Sequence, residues 1–295
     1  MNKDYRDKSQ YAIKEQYSFA ELLNLVRFLQ SPEGCPWDKV QTHESIQGSL
    51  VEEAWEAVDA IKDGRAERLS DELGDVLLQV LFHAEIARKA GSFDIEDVKR
   101  ALAHKLISRH THIFAEDTAD NPDSVIKTWE SNKKSEKGLH TETDVLRDVP
   151  KSLPALTRAY KLQKKAANCG FDWPDTDGCI EKIKEEATEL KEAKDAWDKQ
   201  VADKGEFAPN EEDMETRKAR EHLQEEAGDL LFAMVNLLRK MKIDPELALH
   251  KCSEKFLIRF ARMEDLALEQ GHELRQLDLE AMDKFWDEAK AEERM

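Results

Sequence analysis

The stretch DELGDVLLQVLFHA (71–84) is answered later in the chain by EEAGDLLFAMVNLL (225–238). Each opens acidic, passes through Gly-Asp and runs into an apolar tract. VLLQVLF (76–82) is apolar on nearly every side, which predicts a central, buried helix with an acidic pair at its start. The match extends outward on both sides: VEEAWEAV (51–58) pairs with IKEEATELKEA (183–193), and GCPWDKVQTHES (34–45) with NCGFDWPDTDG (168–178). Glu53 and Glu186 lie 133 residues apart, Asp75 and Asp229 lie 154 apart, and the difference of 21 predicts an insert near 196–218. That insert is polar and charged, as expected of an exposed loop or a helix extension. A repeat of this size reads as a duplicated helical domain, not a short solenoid unit.

The rest of the chain keeps a period of 3.6. Residues 18–30 place Phe19, Leu22, Leu23, Val26 and Leu29 on one face, with Ser18 as N-cap and Pro32 and Gly34 ending the helix. A second helix is expected over 45–62, stopped by Asp63-Gly64, a third over 67–90, capped near Ser70 and ended by Gly91, and a fourth over about 94–113. Residues 154–168 resume the pattern in the second half, and no strand-like alternation persists anywhere. The fold class is therefore all-α, with an N-terminal helical domain over 1–130, a polar linker over 131–153 and a C-terminal helical domain over 154–295.

Composition narrows the function. The 295 residues are 40% hydrophobic and 37% charged, with a net charge of -18, which repels nucleic acid polymers. Mean hydropathy is -0.71, and no stretch approaches the ~20 apolar residues a bilayer helix needs. No membrane partner is expected, the N-terminus carries no apolar signal region, and a cytoplasmic location follows as the expectation. Cys35, Cys169, Cys179 and Cys252 form no CxxC pair, so no zinc ribbon is supported.

Each half carries one acidic pattern twice over: Glu53-x-x-Glu56 then Glu72-x-x-Asp75, and Glu186-x-x-Glu189 then Glu226-x-x-Asp229. Positions i and i+3 share a helix face, so each pair projects two carboxylates one way. Four carboxylates brought together repel and lose hydration. They must take up protons, pair with bases or hold a hard cation, and an all-oxygen set suits Mg²⁺ or Mn²⁺. A single such pair in a chain with 63 acidic residues means little; two linked pairs occurring twice point to metal. Iron is disfavoured, because the lone Glu-x-x-His, Glu269–His272, is not repeated. His104, His110 and His112 have no counterparts in the second half and read as solvated or structural.

A basic pair follows each acidic set, Lys105 with Arg109 and Lys255 with Arg259, each on one face at i,i+4. Such a pair can clamp phosphate oxygens or serve in intrahelical ion pairs. Trp129 and Trp286 recur beyond them, either as packing residues or as surfaces on which a base stacks, and Trp37 and Trp173 read as anchors or pocket walls.

GCPWD (34–38), EEAWE (52–56), DELGDVLLQVLFHA (71–84) and HKLISRHTHIF (104–114) resemble the MazG family of nucleoside triphosphate pyrophosphohydrolases. CGFDW (169–173), KEEATE (184–189), EEAGDLLFAMVNL (225–237) and SEKFLIRF (253–260) resemble that family's second domain, so the likeness spans about residues 18–290. The resemblance implies tandem MazG-like helical bundles that dimerise, depend on magnesium, and convert ribo- and deoxynucleoside triphosphates to the monophosphate and pyrophosphate. It places metal ligands at Glu186, Glu189, Glu226 and Asp229, with Glu53, Glu56, Glu72 and Asp75 as the parallel set. It places nucleotide contacts at Lys182, Ile183, Lys184, Glu185 and Glu186, at Lys255, Phe256, Leu257, Ile258 and Arg259, and at Trp286; Lys105, Arg109 and Trp129 are the first-half candidates. Glu185 and Glu52, each preceding a ligand, are candidates to orient or deprotonate the attacking water. The 196–218 insert lengthens the Glu189–Glu226 gap beyond the family's usual spacing. Two other readings remain open here: a hydrolase narrow for one modified nucleotide, and a non-catalytic helical dimerisation or partner-binding module.

Overall fold

A capping box starts the first long helix, α1 (Phe19–Leu29): Ser18 accepts from the Glu21 amide while the Glu21 carboxylate accepts from the Ser18 amide. The computed structural model describes residues 5–115, 121–204 and 214–293. Helices α2 (Gln47–Asp63), α3 (Ala66–Lys89), α4 (Ile95–Arg109), α5 (Thr111–Phe114) and α6 (Pro122–Glu136) follow, then α7 (Glu142–Arg147), α8 (Ala155–Asn168), α9 (Thr176–Lys204), α10 (Met214–Lys240), α11 (Pro245–Glu269) and α12 (Leu279–Glu292). No strand occurs among the described residues, so the all-α class stands.

The chain divides into two compact units, Met1–Lys133 and Lys134–Met295. In the first, Leu23 and Val26 of α1, Ile46, and Leu81, Phe82 and Ala84 of α3 meet Ile95 of α4 in one core. Burying each such large side chain contributes about 1.5–3 kcal/mol. Ala57 and Ala60 are the buried residues of α2, which packs against α3. Gly34 lies so close to the Phe28 and Leu29 carbonyls at the end of α1 that a Cβ there would overlap them. That explains the glycine opening the GCPWD turn. In the second unit α9 packs along α10, and α8 packs on α10. Met263, Leu266 and Ala267 of α11 close with Phe285 and Ala289 of α12 into a separate small core. Asp172 in the turn before α9 pairs with Arg239 and Lys240 at the end of α10.

Several boundaries differ from expectation. Ser70 lies inside α3, not at its start. Gly64, left-handed at φ +67°, turns the chain so tightly that α3 begins at Ala66 with no side-chain cap. The fourth helix breaks at His110, whose Nδ1 lies 2.6 Å from the Leu106 carbonyl and whose ring meets Trp129 edge-on at 4.8 Å. Residues 131–153 hold the end of α6, a left-handed Gly138 and the capped helix α7. The 196–218 insert extends helices from both sides, α9 to Lys204 and α10 from Met214, and residues 205–213 lie outside the described residues. Consequently Glu72–Asp75 and Glu226–Asp229 sit within α3 and α10, not in their first turns as the sequence suggested. Nor is VLLQVLF wholly buried: its first five residues are half-buried, and burial concentrates from Leu81 to Ala87. In α10, Leu231, Phe232 and Met234 are exposed.

Candidate active site

Each unit gathers three of the predicted acids. Glu53 and Glu56, one turn apart on α2, meet Glu72 of α3, and Glu186 and Glu189 of α9 meet Glu226 of α10. In each triad, one carboxylate oxygen per residue lies within 4.8 Å of the others. The triads occupy matching places in the repeat, although the inserted segment separates the helices of the second in sequence. Asp75 and Asp229, one turn beyond Glu72 and Glu226, are exposed and fall outside the triads.

Electrostatics marks both clusters as strained when no cation is present. Burial, then the charges of Asp75, Glu52 and Glu72, push the Glu53 carboxyl above its usual range, against a hydrogen bond from Gln79. The Glu72 charge and hydrogen bond come first in raising Glu56, followed by burial and by Glu53 and Glu52. Burial, Glu186 and Glu226 raise Glu189, with Lys182 opposing. These are the effects of like charges crowded into a partly desolvated place.

Basic groups relieve only part of this. Lys182 lies 2.7 Å from Glu186 and 2.8 Å from Glu185, and both hold its ammonium above the usual lysine range. Arg68 reaches Glu72 at 3.3 Å, and His222, at the matching position of the repeat, reaches Glu226 at 3.4 Å. The other Glu226 oxygen, Oε2, is buried with no hydrogen-bond partner. A buried carboxylate oxygen without a donor is expensive for a protein to keep. Three acceptor-only carboxylates converging around such an orphan fit a hard divalent cation.

The remaining candidates are distributed as follows. Glu52 is exposed beside the first triad and Glu185 is tied to Lys182. Ile183 is half-buried, and Lys184 turns away to Glu181 at 2.8 Å. On α11, Lys255, Leu257 and Ile258 are exposed, and Arg259 pairs with Glu293 at 2.6 Å. Phe256 meets Trp286 at 5.3 Å between ring centroids. In the first unit, Lys105 is exposed, while Arg109 is buried with its guanidinium 5.4 Å from the centre of the Trp129 ring. Arg259 and Arg109 are thus engaged outside the triads. His104 is exposed, and the His110 ring lies tilted to His112 and edge-on to Trp129 as a structural group.

Sequence reasoning missed three side chains at the triads and a histidine pair. Arg68 and His222 each stand four residues before a triad acid, a spacing that already signals an ion pair on a helix. Gln79 holds Glu53, and only the fold reveals it. His43 and His83 stack at 5.1 Å with their Nδ1 atoms 2.8 Å apart, so one ring donates and the other accepts; burial and then His43 push His83 below its usual range. Trp37 forms a cavity wall, one of its two expected roles, and the Trp173 ring covers Gly178.

Comparison with known proteins supplies an independent line. Residues 41–114, spanning α2 to α5 and the first triad, match the MazG nucleotide pyrophosphohydrolase domain. The chain is 44% identical over 272 residues to the nucleoside triphosphate pyrophosphohydrolase/pyrophosphatase MazG of Thermotoga maritima, covering 92% of this chain and 95% of that one. It is 40% identical over 274 residues to the nucleoside triphosphate pyrophosphohydrolase of Escherichia coli K12, covering 92% and 97% respectively. A nucleoside triphosphate pyrophosphohydrolase of Mycolicibacterium smegmatis is 41% identical over 138 residues, 46% of this chain.

Proposed function

That this chain belongs to the MazG family of nucleotide pyrophosphohydrolases is the premise from which we propose its reaction: water attacks the α-phosphorus of a ribo- or deoxynucleoside triphosphate. The new P–O bond forms as the bridge to the β-phosphorus breaks, giving the monophosphate and pyrophosphate. The observation that carries this reading is the pair of carboxylate triads at matching places of a duplicated fold. Glu186, Glu189 and Glu226 hold a Mg²⁺ ion in the second half, and Glu53, Glu56 and Glu72 in the first; Asp229 and Asp75 stand one turn away to complete each set. When bound, Mg²⁺, or Mn²⁺ in its place, neutralises triphosphate charge and activates water.

The chain's own residues do the rest. Glu185, or Glu52 in the first half, accepts the water's proton. Lys182 pairs with both Glu185 and Glu186 and offsets part of the negative charge beside the cation site. Lys255 and Arg259 neutralise departing pyrophosphate, with Lys105 and Arg109 in the corresponding first-half role. The Phe256–Trp286 pair, and Trp129 in the first half, offer an aromatic surface to the base, and Ile183, Lys184, Leu257 and Ile258 are the further nucleotide contacts of this reading. Two helical units over 1–130 and 154–295, each with one such site, form the working chain.

A homodimer fits the exposed faces: Leu102, Leu106 and Ile107 on α4, Leu231, Phe232 and Met234 on α10, and Leu257 and Ile258 on α11 are uncovered apolar side chains. Such patches mark association surfaces. No described helix is long and apolar enough to cross a membrane, and we place the enzyme in the cytoplasm without a nucleic acid polymer partner. The test is product analysis with Mg²⁺. Pyrophosphate and monophosphate in equal amounts are expected from dATP or dGTP, lost on joint substitution of Glu189 and Asp229 by Ala. Direct orthophosphate release overturns the reading, and full activity in the double variant moves the chemistry to the first half.

A further inference from the structure

Beside the first triad lies a cavity of about 300 Å³, walled by Trp37, Asp38, Ser49, Glu53, Gln79 and Phe82. Small-molecule sites begin at roughly this volume. Its character is specific. Asp38 and Glu53 are its charged walls; Glu53 is committed to the cation and Asp38 repels phosphate oxygens, so the occupant is the uncharged part of a ligand. Trp37, 60% exposed, and Phe82 give it flat apolar faces suited to a planar ring. Gln79 spends its amide N–H on Glu53, which leaves its Oε1 as an acceptor that is buried and without a partner. The second half has Ala233 where the first has Gln79, and Lys182 where the first has Ser49, so this arrangement belongs to the first half alone.

We propose that this cavity seats the base of a nucleotide bound at the Glu53–Glu56–Glu72 triad and selects bases bearing an exocyclic amino group, with Gln79 Oε1 and the Asp38 carboxylate as the acceptors that read it. An amino group has two hydrogens to give to two acceptors. A keto oxygen in its place faces acceptors with no proton between them, and a site built to receive a hydrogen bond discriminates strongly against the ligand that lacks it. The inference rests on the triads being nucleotide sites.

The test uses the full chain carrying Glu186→Gln and Glu189→Gln, so that the first triad alone is left to engage a magnesium triphosphate. Calorimetry compares CTP with UTP, and ATP with ITP, pairs that differ in the amino or keto group at one ring position. The amino member is expected to bind at least about tenfold tighter in both pairs. Adding Gln79→Leu brings the ratio close to one. Because that change also removes the bond to Glu53, the ratio and not the absolute affinity is read. Asp38→Asn, at the other acceptor, lowers the ratio by a second route. Equal affinities within each pair, or no nucleotide bound, overturn the inference while pyrophosphate release by the unmodified chain continues. Absence of pyrophosphate from the unmodified chain overturns the pyrophosphohydrolase reading itself.

Discussion

Replacing Glu226 with Gln should make the metal-free protein more stable and the magnesium-bound protein less so. The two carboxylate oxygens of Glu186 and Glu226 lie within 4.8 Å of each other, and their side chains are only 7% and 13% exposed. Two unit charges at that separation repel by about 0.9 kcal/mol at the dielectric constant of water and about 3.5 kcal/mol at an effective value near 20. Lys182, at 2.7 Å from Glu186, offsets part of this, so a gain near the low end, about 1 kcal/mol, is expected on removing the charge. For a unit of this size, that is a rise of about 2–4 °C in the unfolding midpoint in EDTA. Magnesium acts in the opposite sense. An ion held at a hundred times its dissociation constant stabilises the native state by about 2.7 kcal/mol, or about 5–11 °C. The glutamine amide keeps the side chain's shape but loses the negative oxygen that now lies buried without a partner, so most of that second gain should vanish. Differential scanning calorimetry in EDTA and in MgCl₂ therefore gives crossing lines for the two proteins. A variant that is weaker in EDTA, yet gains as much from magnesium as the parent, would falsify the assignment of this triad to a cation.

Other outcomes can be checked alongside. Glu189 has its carboxyl raised above its usual range, so its ionisation disfavours the folded state and stability is lost as pH rises through the raised value. The stability advantage of Glu189→Gln over the parent in EDTA should be absent below about pH 4, appear as pH passes the ordinary carboxylate value and then level off; a difference independent of pH sinks this. Gly34→Ala forces a methyl group onto the Phe28 and Leu29 carbonyls and should cost about 2 kcal/mol or more by urea titration, whereas Gly48→Ala, where a Cβ meets nothing, should not destabilise. Ile258→Glu together with Leu257→Lys should shift the chain from dimer to monomer in light scattering; an unchanged mass removes α11 from the interface.

What could be read from the chain and what could not separate along a physical line. Interactions local in sequence were legible. Ser18 and Glu21 form the expected cap, Asp63-Gly64 ends α2, and each Glu-x-x-Glu projects two acids from one helix face. Repetition then raised a common motif to a specific one. Interactions that depend on how far a helix extends were misread. The third helix, expected over 67–90, runs from Ala66 as α3, but the acid pair Glu226–Asp229, expected to open its helix, lies three turns into α10, because charged residues such as those of TRKAREHLQEE (216–226) are as willing to be helical as apolar ones. Helix propensity carries no mark of where packing begins.

The same limit explains the fate of the nucleotide-binding candidates. The resemblance alone groups Lys255, Arg259 and Trp286 with Glu186; within one chain Arg259 pairs with Glu293 and Trp286 meets Phe256. An arginine held in an exposed ion pair is easily released, since such pairs contribute little. Arg109 differs: it is buried over Trp129 and must give up that packing before it can meet a phosphate. The two halves therefore carry the same acidic framework with unequal readiness of their basic partners. Lys182 stands in the second triad where Ser49 stands beside the first, and the orphaned Gln79 oxygen stands in the first where Ala233 stands in the second. Duplication preserved the carboxylates that a cation requires, while the neighbours that meet the rest of a nucleotide diverged.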